Sequence, residues 1–389
     1  MKKVLVLTPI LPYPPDDGSR IRTYQTIKSL YKKYKIDICS FYTEEDDVAG
    51  AKEFLMTLCD NVFLFPLPKV NKLLQKLFVY AGDKLTKKEI SKIIEKERYD
   101  FLHVEKLMMF YYVGNKKIPT VLDSWGIDSS IAYQKFLFEK NFVKKIFELL
   151  KYLRHLICEM YILKKANFLI AITQQQVEFY KKYLKDKSIF LIPNWIDTNY
   201  FVPSEQYEKN TLIFTGIMNF YPNIDAVKFF CKEILPTIKK IRPEVKFYIV
   251  GKNPTKEIVE INNSKDIIVT GKVSDVKEYL NKAEIFVSPL RMGSGLRNKI
   301  LEAMSCGKPI VATSHSCEGL NVKNGEHLLI ADTPEEFVDK VLLLLNNKNL
   351  NNYLSNNARM FVIENFSISK IESLWLECYE QIFNSYNNL

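Results

Sequence analysis

The stretch RMGSGLRNKILEAMSCG, residues 291–307, decides how the rest of the chain is read. It follows an apolar, strand-like run from Ala283 to Pro289. Gly293 and Gly295 let backbone come close to a ligand, because no Cβ stands in the way. Good helix formers then fill most positions from Leu296 to Met304, and Gly307 with Pro309 stops the helix. Free N–H groups at such a helix start attract anions. Arg291, Arg297 and Lys299 surround that start, and Gly295, Lys299 and Glu302 fall at i, i+4 and i+7, on one helical face. Cations and a carboxylate above a Gly-rich helix start suit a ligand carrying both phosphates and hydroxyls, such as a sugar nucleotide. The same spacing also fits an ordinary i, i+3 surface pair of Lys299 with Glu302 beside a plain glycine turn.

A chain of 389 residues is long for one domain, so two are expected. Its net charge of +10 is uneven: residues 1–200 hold 33 Lys and Arg against 23 Asp and Glu, while 201–389 hold 22 of each. An acidic surface or ligand is therefore expected on the first half. The seven cysteines are scattered, odd in number and without a C-x-x-C pair, as in a cytoplasmic protein with reduced thiols. Pro9, Pro12, Pro14 and Pro15 cut the opening apolar run too short for a signal peptide, and no stretch is apolar enough to span a bilayer.

In the first half, Val4 to Leu7 reads as a buried parallel strand, followed by a loop with Gly18 and Ser19, a helix from about Ile21 to Tyr34, and a strand from Ile36 to Tyr42. This is a βαβ order. The loop either meets a phosphate or sugar through its N–H groups, or uses Gly18 only to turn. Asn61 to Pro66 is another strand, and Val70 to Lys96 reads as one or two amphipathic helices. The strand ending at His103-Val-Glu105 and the one running through Asp123 to the loop at Asp128 place carboxylates where parallel sheets bind ligands. His103, inside an apolar strand, fits either a core histidine or a catalyst. Residues 131–187 read as largely helical, with 12 Lys and Arg against 5 Asp and Glu. Within them, Phe136 to Lys145 interleaves lysines with aromatics, which fits packing on the sheet or contact with an anionic membrane. Nothing resembles a nucleic-acid recognition helix or stacking platform.

The second half repeats the pattern. Strands are expected at Thr211 to Phe214 with Gly216 in the following turn, at Val245 to Val250, at Ile267 to Thr270 ending in Gly271, at Ile285 to Val287 and at Ile310 to Thr313. A helix from Asp225 to Lys240 is interrupted near Pro236. Residues 346–352 form an Asn-rich patch.

The segments PYPPDDGSRIR (12–22), DFLHVE (100–105), IPNWIDTNYF (192–201), TGIMNFYPNIDA (215–226), SPLRMGSGLRNKILEAMSCGKPIVAT (288–313), EGL (318–320) and DTPEEF (332–337) together resemble a GT-B glycosyltransferase of family 4, the retaining, nucleotide-sugar-dependent transferases. The resemblance implies an α/β fold of two Rossmann-like doubly wound domains facing across a cleft. An acceptor-side domain would cover 1–195, a nucleotide-sugar domain 203–368, and a final helix over 369–389 would cross back. It implies that Glu302 holds the donor ribose and that Lys299 and Arg297 contact the diphosphate, with the backbone of Gly293 and Gly295 close by. Gly271 to Val273 would lie against the base, Gly216 would belong to the donor site, and Gly18 and Ser19 would close over the donor.

Three positions depart from the family pattern. Ser294 stands where a glutamate is usual. Ile217 and Pro222 replace the usual Arg and Lys, so Arg291 or Arg297 would supply that charge. His103-Val-Glu105 replaces an H-x-H pattern.

The implied activity is transfer of a sugar to a glycan or lipid-linked acceptor of the cell surface. Arg297, Lys299 and the helix start would stabilise the leaving phosphate without a metal or other cofactor, and Glu105 or Asp128 would take the acceptor proton. A sugar-nucleotide epimerase of the same architecture and a noncatalytic membrane-attached module are the competing readings.

Overall fold

The computed structural model describes residues 1–16, 18–67, 82–114, 118–139, 141–263, 265–293 and 295–387. Ser294, and residues 70–81 of the helical reading from Val70 to Lys96, lie outside them; the described part forms a helix, Lys84–Glu97. The chain divides into two compact units, Met1–Asn194 with Glu372–Leu389, and Trp195–Ile371.

In the first unit the strands are β1 (Lys3–Thr8), β2 (Lys35–Tyr42), β3 (Asn61–Pro66), β4 (Phe101–Glu105), β5 (Thr120–Asp123), β6 (Phe168–Ala171) and β7 (Ser188–Leu191). They form one sheet in the order β3-β2-β1-β4-β5-β6-β7, with every pairing parallel. β1, β4, β5 and β6 are buried almost throughout, which is why they read as continuous apolar runs. Helix α1 (Gly18–Leu30) links β1 to β2, and the long helix α2 (Phe142–Lys165) precedes β6.

The second unit holds β8 (Thr211–Thr215), β9 (Lys246–Val250), β10 (Ile267–Gly271), β11 (Ile285–Ser288), β12 (Ile310–Ala312) and β13 (Leu329–Ile330). Their order is β10-β9-β8-β11-β12-β13, again all parallel. Both sheets are doubly wound, as the sequence pattern required. Helix α3 (Asn298–Ser305) follows β11, and helix α4 (Ile368–Asn387) ends the chain, its residues from Glu372 onward counting with the first unit. There Phe383 packs edge-on against Phe101 at 4.5 Å, and Tyr379 lies 5.5 Å from Tyr34.

Three elements differ from the sequence expectation. Helix α3 starts at Asn298, with Arg297 at its cap (φ −91°, ψ 80°), so Gly295 is not on the face shared by Lys299 and Glu302. Gly293 and Gly295 adopt φ of 109° and 89°, which a right-handed helix cannot use. The helix expected from Asp225 starts earlier, at Tyr221, and widens into a π turn over Phe230–Ile234 before resuming at Leu235. Pro236 lacks the N–H that an α-helix would give to Lys232, and the wider turn absorbs the defect. The Asn-rich patch enters a 19-residue helix, Lys348–Phe366. Asn347 caps it, and Leu354, Ala358, Val362 and Phe366 are buried at four-residue spacing.

Candidate functional site

The second sheet runs outward in both directions from its centre, and strand order reverses between β8 and β11. Loops leaving two such strands diverge and open a crevice at their carboxyl ends. These loops carry Gly216 and the segment from Gly293 to Arg297, and α3 brings Lys299 and Glu302 alongside. Lys299 Nζ donates to Asn223 Oδ1 at 2.7 Å and sits 4.0 Å from the centre of the Phe214 ring. Asn223 is itself fixed by donating to the Ile217 carbonyl at 2.9 Å. A Cβ on Gly216 would fall 2.7 Å from Lys299 Nζ and from Asn223 Nδ2, so any larger residue would displace this pair.

Burial pulls the Lys299 ammonium down to about 7, helped by the Arg297 cation and opposed by Glu302. Burial pushes the Glu302 carboxyl up to about 7, opposed by Lys299. Among the described residues neither side chain forms an ion pair. Each is half-buried. Such a pair is costly until a ligand completes it: an anion for Lys299, hydroxyl donors for Glu302.

Arg297 is buried, and burial lowers it to about 10. It donates to the Gly295 carbonyl at 3.0 Å and to His315 Nε2 at 3.2 Å. For Nε2 to accept, His315 must carry its proton on Nδ1, which lies 3.1 Å from Glu318 Oε1. His315 and Glu318 thereby hold the guanidinium against the glycine loop. On the same carboxyl edge Gly271 takes φ 69°, nothing lies within 4 Å of its Cβ position, and half-buried Val273 packs against the core.

Arg291 behaves differently. Its guanidinium makes a bidentate pair with Asp225 at 3.0 and 2.7 Å and stacks on Phe229 at 4.3 Å. It lines an open cavity of about 360 Å³ with Tyr221, Lys228 and Glu257. Its charge is already matched, and the structure does not enlist it beside Lys299.

The first sheet has its own reversal, between β1 and β4. Here the polar groups are sealed. His103 and Glu105 are fully buried. His103 Nδ1 meets the Tyr379 hydroxyl at 2.8 Å, Nε2 faces Glu105 Oε1 at 3.6 Å, and Thr23 donates to Glu105 Oε2. Arg22 pairs with Asp123 at 2.7 Å and stacks on Trp375 at 4.8 Å. It also donates to the Pro193 carbonyl at 3.2 Å and Asn194 Oδ1 at 3.3 Å. One side chain thus grips the chain where it leaves this unit and where it has just returned. His103 Nε2 and Glu105 Oε1 are buried without a hydrogen-bond partner of their own.

Gly18 is exposed and Ser19 half-buried at the start of α1. Asp128 is half-buried at the start of its helix, where its N–H and that of Ser129 donate to Glu159 at 3.1 and 3.0 Å. Burial pushes Glu159 up to about 7. Sequence reasoning missed Asn223, His315, Glu159 and Arg22. Only Asn223 left a local trace, in the Pro-Asn step of 222–223 after the β8 glycine.

Residues 209–347 match the family described as Glycosyl transferases group 1. A 44.6 kDa protein of the cps region of Klebsiella pneumoniae is 22% identical over 96% of this chain and 98% of its own length. The N,N'-diacetylbacillosaminyl-diphospho-undecaprenol alpha-1,3-N-acetylgalactosaminyltransferase of Campylobacter jejuni is 29% identical over 40% of this chain and 42% of its own. Among solved structures, sucrose-phosphate synthase from Thermosynechococcus elongatus superposes with a TM-score of 0.75 at 16% identity, covering 99% of this chain and 100% of that one. Anabaena HepE in complex with UDP-glucose gives 0.67 at 15% identity, covering 98% and 100%. The chain has the GT-B fold, and its residues 209–347 are of the glycosyl transferase group 1 type. The part of the chain that matches the family contains the whole Lys299 cluster, from Gly216 and Asn223 to Glu302 and His315.

Proposed function

We propose that the chain is a retaining enzyme of family 4 that moves a hexose from a nucleotide diphosphate sugar to a glycan or lipid-linked acceptor in cell-surface polysaccharide synthesis, on the cytoplasmic side. The reading is carried by one observation: Lys299 and Glu302, a half-buried cation and carboxylate without ion-pair partners, beside a glycine-lined helix start. A nucleotide diphosphate sugar offers both complements in one molecule. The Klebsiella relative from a cps region and the Campylobacter transferase named for an undecaprenol-linked acceptor support the acceptor class. The Anabaena structure with UDP-glucose makes uracil the first base to test.

In this reaction the bond between the anomeric carbon and the β-phosphate oxygen breaks. The acceptor oxygen bonds to that carbon, its proton passes to a base, and the nucleotide leaves with the electron pair. Lys299, Arg297 and the N–H groups at the start of α3 meet the charge that grows on the leaving phosphate. Glu302 accepts from the ribose hydroxyls and orients the donor. Half-buried Asp128 is the base in this reading, preferred to Glu105, which is fully buried.

A thermal-shift screen over nucleotide diphosphate sugars tests the reading. The melting temperature should rise with one of them, and the rise should vanish in Lys299→Ala. A parent protein that no such sugar shifts, or a variant that shifts equally, rejects it.

A further inference from the structure

Helix α2 has two apolar faces, and only one of them is covered. Ile162 and Leu163 are buried in the core of the first unit. Phe142, Ile146, Leu150, Leu153, Ile157 and Tyr161 are exposed by 76, 45, 57, 43, 69 and 60%. At about 100° per residue these six fall within a stripe roughly 100° wide, running about 28 Å along the helix. Soluble proteins rarely leave so long a row of large apolar side chains in water. No described helix is long and apolar enough to cross a membrane, so a lipid surface would be met by a helix lying flat upon it.

The surrounding charge selects the occupant. Six cations lie on the same helix against only Glu148 and Glu159; at the same spacing Arg154, Lys164 and Lys165 fall in or beside the stripe, while Lys144, Lys145 and Lys151 fall on other faces. Glu148 is paired with Lys151 at 2.5 Å, and Glu159 is buried at the start of the neighbouring helix. A second copy of this face would set like charges together, whereas anionic headgroups would satisfy them.

We infer that the exposed stripe of α2, with its flanking cations, seats the first unit on an anionic bilayer surface. The seat lies closer to β6 than the Phe136–Lys145 stretch picked out by sequence alone. Lysines on the polar flank reach the headgroups while Phe142, Leu150 and Ile157 enter the acyl boundary. The inference uses no residue of the donor site, so it stands or falls separately from the activity proposed above.

Full-length protein is to be co-sedimented with phosphatidylcholine vesicles and with vesicles containing 30 mol% phosphatidylglycerol. Binding is expected only to the anionic vesicles and should weaken in high salt. The triple variant Ile146→Glu/Leu150→Glu/Ile157→Glu and the double variant Lys164→Glu/Lys165→Glu should each bind about tenfold less or weaker. Both sets lie at exposed positions, so the melting temperature and its shift with nucleotide should stay put. Equal sedimentation of parent and triple variant overturns the inference. So does a parent that ignores both vesicles but is a dimer that the triple variant dissociates, since a second copy would then cover the stripe.

Discussion

The two sheets reverse strand order in the same way, yet the two reversal points were put to opposite uses. At the β8/β11 point a lysine and a glutamate are half-buried and, among the described residues, form no ion pair, and their proton affinities converge near 7. At the β1/β4 point the polar set is fully buried and largely paired: Arg22 with Asp123, Thr23 with Glu105, His103 with Tyr379, leaving Arg22 Nη2, His103 Nε2 and Glu105 Oε1 without a hydrogen bond. Unmatched charge at a crevice is stability given up for a ligand. Matched charge in a sealed one holds the chain in place.

The largest expected effect falls on the open side. Lys299→Ala should reduce sugar transfer by about 10²–10³-fold, because one preorganised cation at the leaving phosphate is lost. The unliganded melting temperature should hold or rise, since a desolvated charge is removed. A transfer rate within twofold of the parent would erase the contrast between the two points.

Next comes Arg22→Met on the sealed side, which leaves Asp123 buried without its partner. Chemical denaturation should show a loss of about 3–5 kcal/mol, with transfer per folded molecule largely kept. If activity fell while stability held, the first reversal point would be a working site as well.

Glu302→Gln tests the cost directly. A carboxyl whose folded value is raised contributes most below the unfolded value of 4.5 and loses that contribution as pH rises through about 7. The variant should therefore match the parent near pH 4.5 and gain melting temperature over it as pH climbs past 7. Its affinity for nucleotide sugar should drop about tenfold as charge-assisted bonds to the ribose are lost. Parallel melting curves at all pH values would mean that Glu302 is not strained in the free protein.

The smallest effect belongs to Arg291→Ala. Its pair with Asp225 is partly exposed, so stability should change by less than about 1 kcal/mol, and nucleotide affinity should not move. A strong loss of affinity by calorimetry would bring Arg291 back to the donor.

Much of this was legible beforehand because its causes are local. Buried parallel strands need unbroken apolar runs, and β1, β4, β8 and β11 supply them. The pairing of Lys299 with Glu302 on one face follows from helical spacing alone, and the two glycines before them announce a loop that hugs something. Those features established two doubly wound units and pointed to the helix start as the place for a sugar nucleotide. What no local pattern contains is which ionisable groups find partners. Tyr379 reaches His103 across 276 residues, Asp123 reaches Arg22 across 101, and Asn223 reaches Lys299 across 76. Burial and counter-charge arrive through such contacts. Only the folded chain could therefore decide that His103 and Glu105 are sealed, that Arg291 is already paired, and that Lys299 and Glu302 are left waiting.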